Sequence, residues 1–350
     1  MFKECLDFVI NQTYKNLQFV LVDDGSTDNS FAIAKEYFDK DKRIALIKKE
    51  NKGLSHTRNV GLDYLAQSLV GGGGLEVFEH QSPLIVDYIH FLDSDDWLEL
   101  SCIEECVNSA LASQADIIWH NFFIFSEENG KIEGICQGLF ENFCNEKSYT
   151  PLEVFSKLGG KSFSWAWCGM YRFYGSAKNL RFVEGVESED VPFGMMLFSL
   201  ARQVFILDKG LAFYRIRPNS ISQHTLHQSG FVPKWPAHMT DIVKAFDCNP
   251  CDVRYYSFAY SACVMCIEID KFVKSIPLEL ELRNKLFEMI GHRAFFAFGS
   301  ITFAKDPRNC RKMLEALQEY KKYASFGSKV AYHFPRIYKI LKAIKNKFLR

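Results

Sequence analysis

Apolar positions in the first hundred residues alternate between two spacings. Phe2, Leu6, Val9 and Ile10 recur at helical intervals, whereas residues 17–22 form a short continuous run of strand length. Asp24-Gly25-Ser26-Thr27-Asp28 then supplies a turn and a helix N-cap, after which Phe31, Ala34, Tyr37 and Phe38 mark one face of a second helix. Residues 44–47 predict another strand, which leads through Asn51-Lys52-Gly53 into a helix carrying His56, Arg58 and Asn59. Strand, helix, strand, helix in this order predicts an α/β fold with a mostly parallel central sheet and right-handed crossovers. Residues 67–83 show no clear period, and Gly71 to Gly74 read as a flexible loop before the next strand, residues 88–92.

Further along, Ile103, Val107, Ala110 and Leu111 predict a helix, residues 116–125 a strand, and residues 126–150 a polar loop. A helix near residues 152–158, an aromatic stretch at 163–174 and an acidic one at 184–190 follow. From Pro236 the pattern is mostly helical. The last segment, 335–350, places Ile337, Ile340, Leu341, Ile344 and Phe348 on one face, with Arg336, Lys339, Lys342, Lys345 and Lys347 around the rest.

Composition narrows the class. With 350 residues, 48% hydrophobic and 24% charged, the chain has ordinary globular content and room for one large core or two smaller ones. Zero formal charge gives no global attraction for nucleic acid, so no nucleic-acid partner is expected. The charge is uneven, however: residues 321–350 hold nine Lys or Arg and no Asp or Glu. Eleven cysteines scattered without a framework suggest reduced thiols and a cytoplasmic setting. No apolar run reaches the roughly 18 residues of a membrane span, so any membrane association is peripheral.

Two apolar runs end in carboxylates: Asp23-Asp24 after the first strand, and Asp93-Ser94-Asp95-Asp96 after residues 88–92. Carboxylates at the C-terminal edge of a sheet sit where open α/β folds bind ligands. Crowded together they repel unless a cation lies between them, and oxygen ligands favour Mg²⁺ or Mn²⁺ over zinc. A diphosphate is the natural third partner.

Asp23-Asp24-Gly25-Ser26-Thr27-Asp28-Asn29-Ser30, Asn51-Lys52-Gly53-Leu54-Ser55 with Arg58-Asn59 and Gly61, Leu92-Asp93-Ser94-Asp95-Asp96-Trp97 and Glu189-Asp190 resemble the family 2 glycosyltransferases of GT-A fold. Four motifs in the right order, over roughly residues 1 to 220, carry the resemblance. It implies inverting transfer of a sugar from a UDP-sugar donor, with UDP-galactose or a UDP-N-acetylhexosamine as candidates, to a glycan acceptor in cell-surface polysaccharide or lipooligosaccharide synthesis. It further implies Asp24, Asp93 and Asp96 at the nucleotide sugar, Asp95 at a Mn²⁺ or Mg²⁺ ion, and Asp190 as the general base. Arg58 is placed to approach the diphosphate, the alternative being a solvated helix-face arginine. Trp165, Trp167 and Glu189 are acceptor-side candidates, the competing reading of the tryptophans being core packing. Tyr214-Arg215-Ile216-Arg217 with Ser220-Ile221-Ser222 resembles the family's flexible segment, whose basic side chains reach the diphosphate. Where the family often has a lysine after the tryptophan, this chain has Cys168-Gly169-Met170-Tyr171-Arg172.

Domain boundaries are expected at 1–225 for the transferase domain, 226–334 for a helical region and 335–350 for a basic amphipathic tail, suited to an anionic membrane surface on its cytoplasmic face. The resemblance also implies a first strand ahead of the helix that begins at residue 2, so a chain lacking it is expected to be incomplete, and a non-catalytic or impaired nucleotide-sugar-binding fragment stands as the alternative function. Asp23-Asp24-Gly25-Ser26 superficially resembles the aspartate-nucleophile phosphatases too, but lacks the residue their motif needs between the two aspartates. Cys248 with Cys251 and Cys263 with Cys266 have zinc-like spacing; the competing reading is a buried apolar helix in which cysteine acts as a small hydrophobe.

Overall fold

The computed structural model describes residues 1–72, 74–81, 85–159, 163–217 and 235–348. These divide into two compact units. The first takes Met1–Lys157, Ser164–Phe182 and the described residues from Leu197 to Arg217; the second takes Leu158, Gly159, Phe163, Val183–Met196 and the described residues from Trp235 on.

The first unit runs Phe2–Ile10 (α1), Phe19–Asp24 (β1), Ser30–Lys40 (α2), Ile44–Lys49 (β2), Leu54–Leu65 (α3), Glu76–Phe78 (β3), Tyr88–His90 (β4), Trp97–Leu98 (β5), Cys102–Ser113 (α4), Ile117–Ser126 (β6), Lys131–Ile135 (β7), Lys147–Tyr149 (β8), Pro151–Lys157 (α5) and Gly169–Arg172 (β9). Asp190–Leu200 (α6) begins in the second unit and ends in the first, and Val204–Ile216 (β10) completes it. One sheet has the order β1-β2-β3; the other has β4-β9-β6-β10-β5, with β7 also on β6 and β8 on β10. β1 with β2 and β6 with β10 are parallel, and the remaining pairs are antiparallel.

The unbroken apolar run of β2 has a direct cause. Ile44 and Leu46 pack on Ala34 and Phe38 of α2, while Ala45 and Ile47 pack on Val60 and Tyr64 of α3. A strand covered on both faces has no polar face to show, so its sequence does not alternate. In the larger sheet, Cys102, Cys106 and Ala110 of α4 pack on Ile118, Met170, Leu207, Leu211 and Ala212.

Three expectations need correction. Residues 126–150 contain β7 and β8, and the segment 67–83 contains β3. β10, the long partner of β6, lies where no strand is expected, and Tyr214 to Ile216 belong to it; Ser220-Ile221-Ser222 lie outside the described residues. Its apolar ends, Val204 to Leu207 and Leu211 to Phe213, are split by Asp208-Lys209-Gly210, and the register shifts there. That polar bulge hides a single strand as two short fragments.

The second unit is helical: Thr240–Ala245 (α7), Pro250–Ser275 (α8), Leu280–Ala297 (α9), Cys310–Met313 (α10), Phe326–His333 (α11) and Pro335–Phe348 (α12). Asn249 caps α8 by accepting from the N–H groups of Cys251 and Asp252, with Pro250 in the first turn where no N–H is needed. Val253, Tyr256, Cys263, Cys266 and Val273 bury one side of α8, so Cys263 and Cys266 behave as hydrophobes. Tyr256 and Tyr320 donate to Asp306 (2.5 Å) and Asp270 (2.6 Å). On α12, Ile337, Ile340, Leu341 and Ile344 are exposed.

β9 approaches β6 so closely that a Cβ on Gly169 would lie 2.2 Å from the Ile118 carbonyl oxygen and 3.0 Å from the Trp165 ring. Neither neighbour is free to retreat, since Ile118 and Trp165 are fully buried. Gly169→Ala is expected to lower stability by about 2–3 kcal/mol through overpacking. Urea denaturation followed by near-ultraviolet circular dichroism checks it; an unchanged midpoint would show that the β6–β9 contact relaxes freely.

Candidate active site

The parallel register of β1 on β2 sets Asp23 beside Lys48 and Asp24 beside Lys49. Two apolar runs that each end in two charges, of opposite sign, therefore pair charge with charge as well as core with core. Lys49 is buried and its ammonium bonds Asp24 Oδ1, which also accepts the Lys52 N–H at 2.9 Å; Asp24 Oδ2 accepts the Gly53 N–H at 2.9 Å. The Asn51 side chain closes the same loop by donating to the Asp24 carbonyl at 2.8 Å. Gly25 sits at φ +66°, and a Cβ there would come within 2.7 Å of the Asn51 nitrogen, so glycine is required for this closure. Asp24 thus binds the turn after β1 to the loop before α3. Lys49 is a member of the site that the sequence reading missed, although the opposed Asp-Asp and Lys-Lys endings were its signal.

The loop after β4 gathers Asp93, Asp95 and Asp96. Asp93 Oδ1 accepts from Arg58 at 2.6 Å, and the Arg58 guanidinium, on α3, lies over the Phe182 and Phe91 rings at 5.0 and 6.0 Å. Arg58 keeps only 7% of its side-chain surface in water, which corrects the reading of a solvated helix-face arginine. Asp95 Oδ2 pairs with Arg217 at 2.9 Å, and here both partners are partly exposed, 40% for Arg217 and 29% for Asp95.

Asp96 is different. It is 2% exposed and accepts the Arg215 backbone N–H at 2.8 Å, joining the loop to β10. Burial pushes its carboxyl up to about 8, with Asp93 and Asp95 adding to the rise and the hydrogen bond from Arg215 opposing it. Its burial and its bond to β10 make it a structural tie of this loop. The crowding also reaches Cys5 of α1, whose thiol is held up at about 12 by burial first and then by Asp96, Asp95 and Asp93.

Arg215 and Arg217, the basic side chains of the segment expected to reach a diphosphate, hold this acidic loop. The Arg215 Nε donates to the Asp95 carbonyl (2.8 Å) and its Nη2 to Glu4 (2.5 Å), with the guanidinium against the Trp97 and Phe125 rings at 4.7 and 5.0 Å.

On the acceptor side, Trp165 is fully buried against Tyr171 and Phe198 and is a core residue, which settles its two readings in favour of packing. Trp167 is half-buried, stacked on Tyr214 and edge-on to Phe122. Glu189 and Asp190, at the start of α6, are both half-buried and belong to the second unit, where the Asp190 charge acts on Arg293.

The donor set fits a hard divalent cation: the partly exposed carboxylates of Asp93 and Asp95 offer oxygen ligands, and the water-facing Arg217 is the countercharge a cation would displace. The same arginines offer charge-assisted hydrogen bonds to an anionic ligand.

Against known proteins, the sequence profile described as Glycosyl transferase family 2 matches residues 1–72 and 74–179. Glycosyltransferase GlyA of Streptococcus pneumoniae serotype 4 is 35% identical over 227 residues, 63% of this chain and 29% of that protein. The uncharacterized glycosyltransferase EpsJ of Bacillus subtilis is 27% identical over 260 residues, 73% of this chain and 67% of that one. The chain therefore spans under a third of GlyA and about two thirds of EpsJ. Residues 1–349 of S. aureus TarS, solved with UDP-GlcNAc, superpose with a TM-score of 0.57 at 16% identity, covering 97% of this chain and 84% of that one. That likeness establishes the α/β fold of GT-A type.

The two arginine pairs should separate in mutation. Arg58→Ala removes the buried partner of Asp93 and is expected to cost roughly 1–3 kcal/mol, below the fully buried range because Asp93 retains contact with water. Arg217→Ala breaks an exposed pair and should stay within about 0.5 kcal/mol of wild type. Chemical denaturation of both variants tests the contrast, and equal losses would mean that Arg217 is as much a part of the fold as Arg58.

Proposed function

The chain belongs to glycosyl transferase family 2, and from that premise we propose that it transfers a sugar from a UDP-sugar to a hydroxyl of a cell-surface polysaccharide or lipooligosaccharide, with inversion at the anomeric carbon. The observation that carries the reading is the loop after β4, where two part-exposed aspartates are balanced by arginines in a way that a cation and a diphosphate could replace. The uridine donor follows from the motif resemblance, and TarS, which shares the fold, was solved with UDP-GlcNAc. UDP-galactose and UDP-N-acetylhexosamines are the sugars to test first; a cholesterol galactosyltransferase of Borreliella burgdorferi is 29% identical over 229 residues.

In this reading Asp190 accepts the proton of the acceptor hydroxyl as its oxygen bonds to the anomeric carbon from the face opposite the leaving group. The bond from that carbon to the diphosphate oxygen breaks, UDP departs with the electron pair, and Asp190 is left protonated. Asp95, with Asp93 beside it, would hold Mn²⁺ or Mg²⁺, which supplies positive charge to the departing diphosphate. Arg58, Asp24 and Lys49 keep the surrounding loops in position, so little ordering is needed on binding. Trp167 and Glu189 remain acceptor-side candidates. The transferase domain is proposed to occupy residues 1–225 and the helical region 226–334.

The tail supports a site of action at a lipid-linked acceptor. α12 exposes Ile337, Ile340, Leu341 and Ile344 and carries Arg336, Lys339, Lys342 and Lys345 without an acidic residue, a combination suited to an anionic bilayer surface, proposed as the inner face of the cytoplasmic membrane. No helix among the described residues is long and apolar enough to cross a membrane.

UDP release from a panel of UDP-sugars with Mn²⁺, with and without glycan acceptors, tests the reaction. Asp95→Ala should abolish metal-dependent release while leaving the fold intact, and Asp190→Asn should lower kcat by about 10²-fold or more with donor binding nearly unchanged. Full activity in Asp95→Ala sinks the metal assignment; a matching loss of donor binding in Asp190→Asn moves that residue to a structural role.

Deleting residues 335–350 should release the protein from vesicles containing anionic lipid, and raised salt should weaken the intact chain's binding, since each basic residue contributes about 1 kcal/mol near such a surface. Sedimentation with vesicles at low and high salt reads both effects. Undiminished binding of the shortened chain would leave α12 as an ordinary terminal helix.

A further inference from the structure

Behind the acidic loop, two histidines face each other in the core. His90 is the last residue of β4 and His120 lies on β6, and their Nε2 atoms are 2.9 Å apart. Cys102, the first residue of α4, brings its sulfur to 3.9 Å from the His90 Nε2 and 3.8 Å from the His120 Nε2. Cys102 and His120 are fully buried and His90 is partly so.

The other ring nitrogens fix the tautomers. His90 Nδ1 is 2.6 Å from the Phe91 carbonyl oxygen and His120 Nδ1 is 2.8 Å from that of Asn121. A carbonyl only accepts, so each Nδ1 carries the proton and donates it. Both Nε2 atoms then present lone pairs to each other. A second proton on either ring would bridge them, but burial holds His90 down to about 4 and His120 down to about 3, the neighbouring His90 adding to the latter. The two Nε2 lone pairs and the Cys102 sulfur therefore converge on one point in the core.

We propose that His90, His120 and Cys102 form a buried site for a zinc-type ion, bound through two imidazole Nε2 atoms and one thiolate. The ligand chemistry is that of a borderline metal with nitrogen and sulfur donors, unlike the all-oxygen donors of the acidic loop. Among the described residues this is the group of three His, Cys, Asp or Glu whose ligand atoms all lie within 4.8 Å of one another. An ion at the usual distances of about 2.0–2.1 Å from nitrogen and 2.3 Å from sulfur would subtend about 90° between the nitrogens and about 125° from each to the sulfur. Opening the nitrogens by about 0.4 Å and drawing the sulfur in by about 0.3 Å gives tetrahedral angles. The backbone carbonyls that hold both Nδ1–H groups are the outer partners that metal-bound histidines ordinarily have, and they orient the rings before any ion arrives. One turn along α4, the buried Cys106 thiol is the next available donor.

Binding converts the Cys102 thiol to a thiolate and releases its proton to solvent, so affinity rises with pH. The ion would fasten β4 to β6 and α4 three residues before Asp93, setting where the acidic loop begins. The site stands on its own geometry and does not depend on the transferase reading.

The test uses the full chain purified without metal-affinity resin. Elemental analysis is expected to find close to one zinc per chain. After chelator stripping, Co²⁺ should bind at one equivalent with an intense near-ultraviolet thiolate-to-cobalt band and visible d–d absorption. Cys102→Ser, nearly isosteric, should lose the thiolate band, and His120→Ala should lose both features. Asp95→Ala should keep the band, which separates this site from the carboxylate loop. Folded, stripped protein that takes up no Co²⁺ overturns the proposal, as does a thiolate band that survives Cys102→Ser; the circular dichroism spectrum of Cys102→Ser establishes that the comparison is made on folded protein.

Discussion

Arg215 carries a full positive charge where there is almost no water, and much of the first unit is arranged around that fact. Its side chain is 6% exposed, and an isolated guanidinium at that depth would be prohibitively costly. The charge is met by Glu4 from α1 and the Asp95 carbonyl, with Glu127 at 3.9 Å and the Trp97 and Phe125 rings beside it. The Arg215 backbone N–H goes to Asp96. One residue at the end of β10 therefore gathers α1, the acidic loop, β5 and β6. The three aspartates after β4 are tolerable together because burial favours the neutral form of Asp96 and the other two have arginines of their own.

The rest of the charged architecture follows the same logic of pairing before exposure. Arg58 answers Asp93, Lys49 answers Asp24, and Arg217–Asp95 is the pair of these three in which both partners open to water. A ligand arriving at this edge meets loops already held in place. On the proposed reading, loops held in place beforehand lose little entropy on binding relative to a site whose loops must first order.

Much of this was legible in the sequence because it lies at strand ends. Apolar runs closing in Asp23-Asp24 and Asp93 to Asp96 announced strands that end in carboxylates, and the run 44–47 announced a strand, which proves to be buried on both faces. What the sequence concealed depended on partners distant along the chain. β10 was broken by a polar bulge at Asp208-Lys209; Asp96 looked like its neighbours until Arg215 claimed it from 119 residues away; and Trp165 could be assigned to the core only once Phe198 was seen against it. The histidines at 90 and 120 are unremarkable singly, thirty residues apart, and meet only because β9 pairs with both β4 and β6.

All eleven cysteines are free thiols, and their burial is sharply graded. Cys5, Cys102, Cys106, Cys168, Cys263, Cys266 and Cys310 are buried, Cys136 and Cys251 are intermediate, and Cys144 and Cys248 are exposed. The two exposed ones fall in different units, Cys144 in the first and Cys248 in the second. Maleimide dyes should therefore react soonest at one position on each unit, giving the unmodified chain two built-in labelling positions. Each unit could then be followed by its own label without introducing a single cysteine.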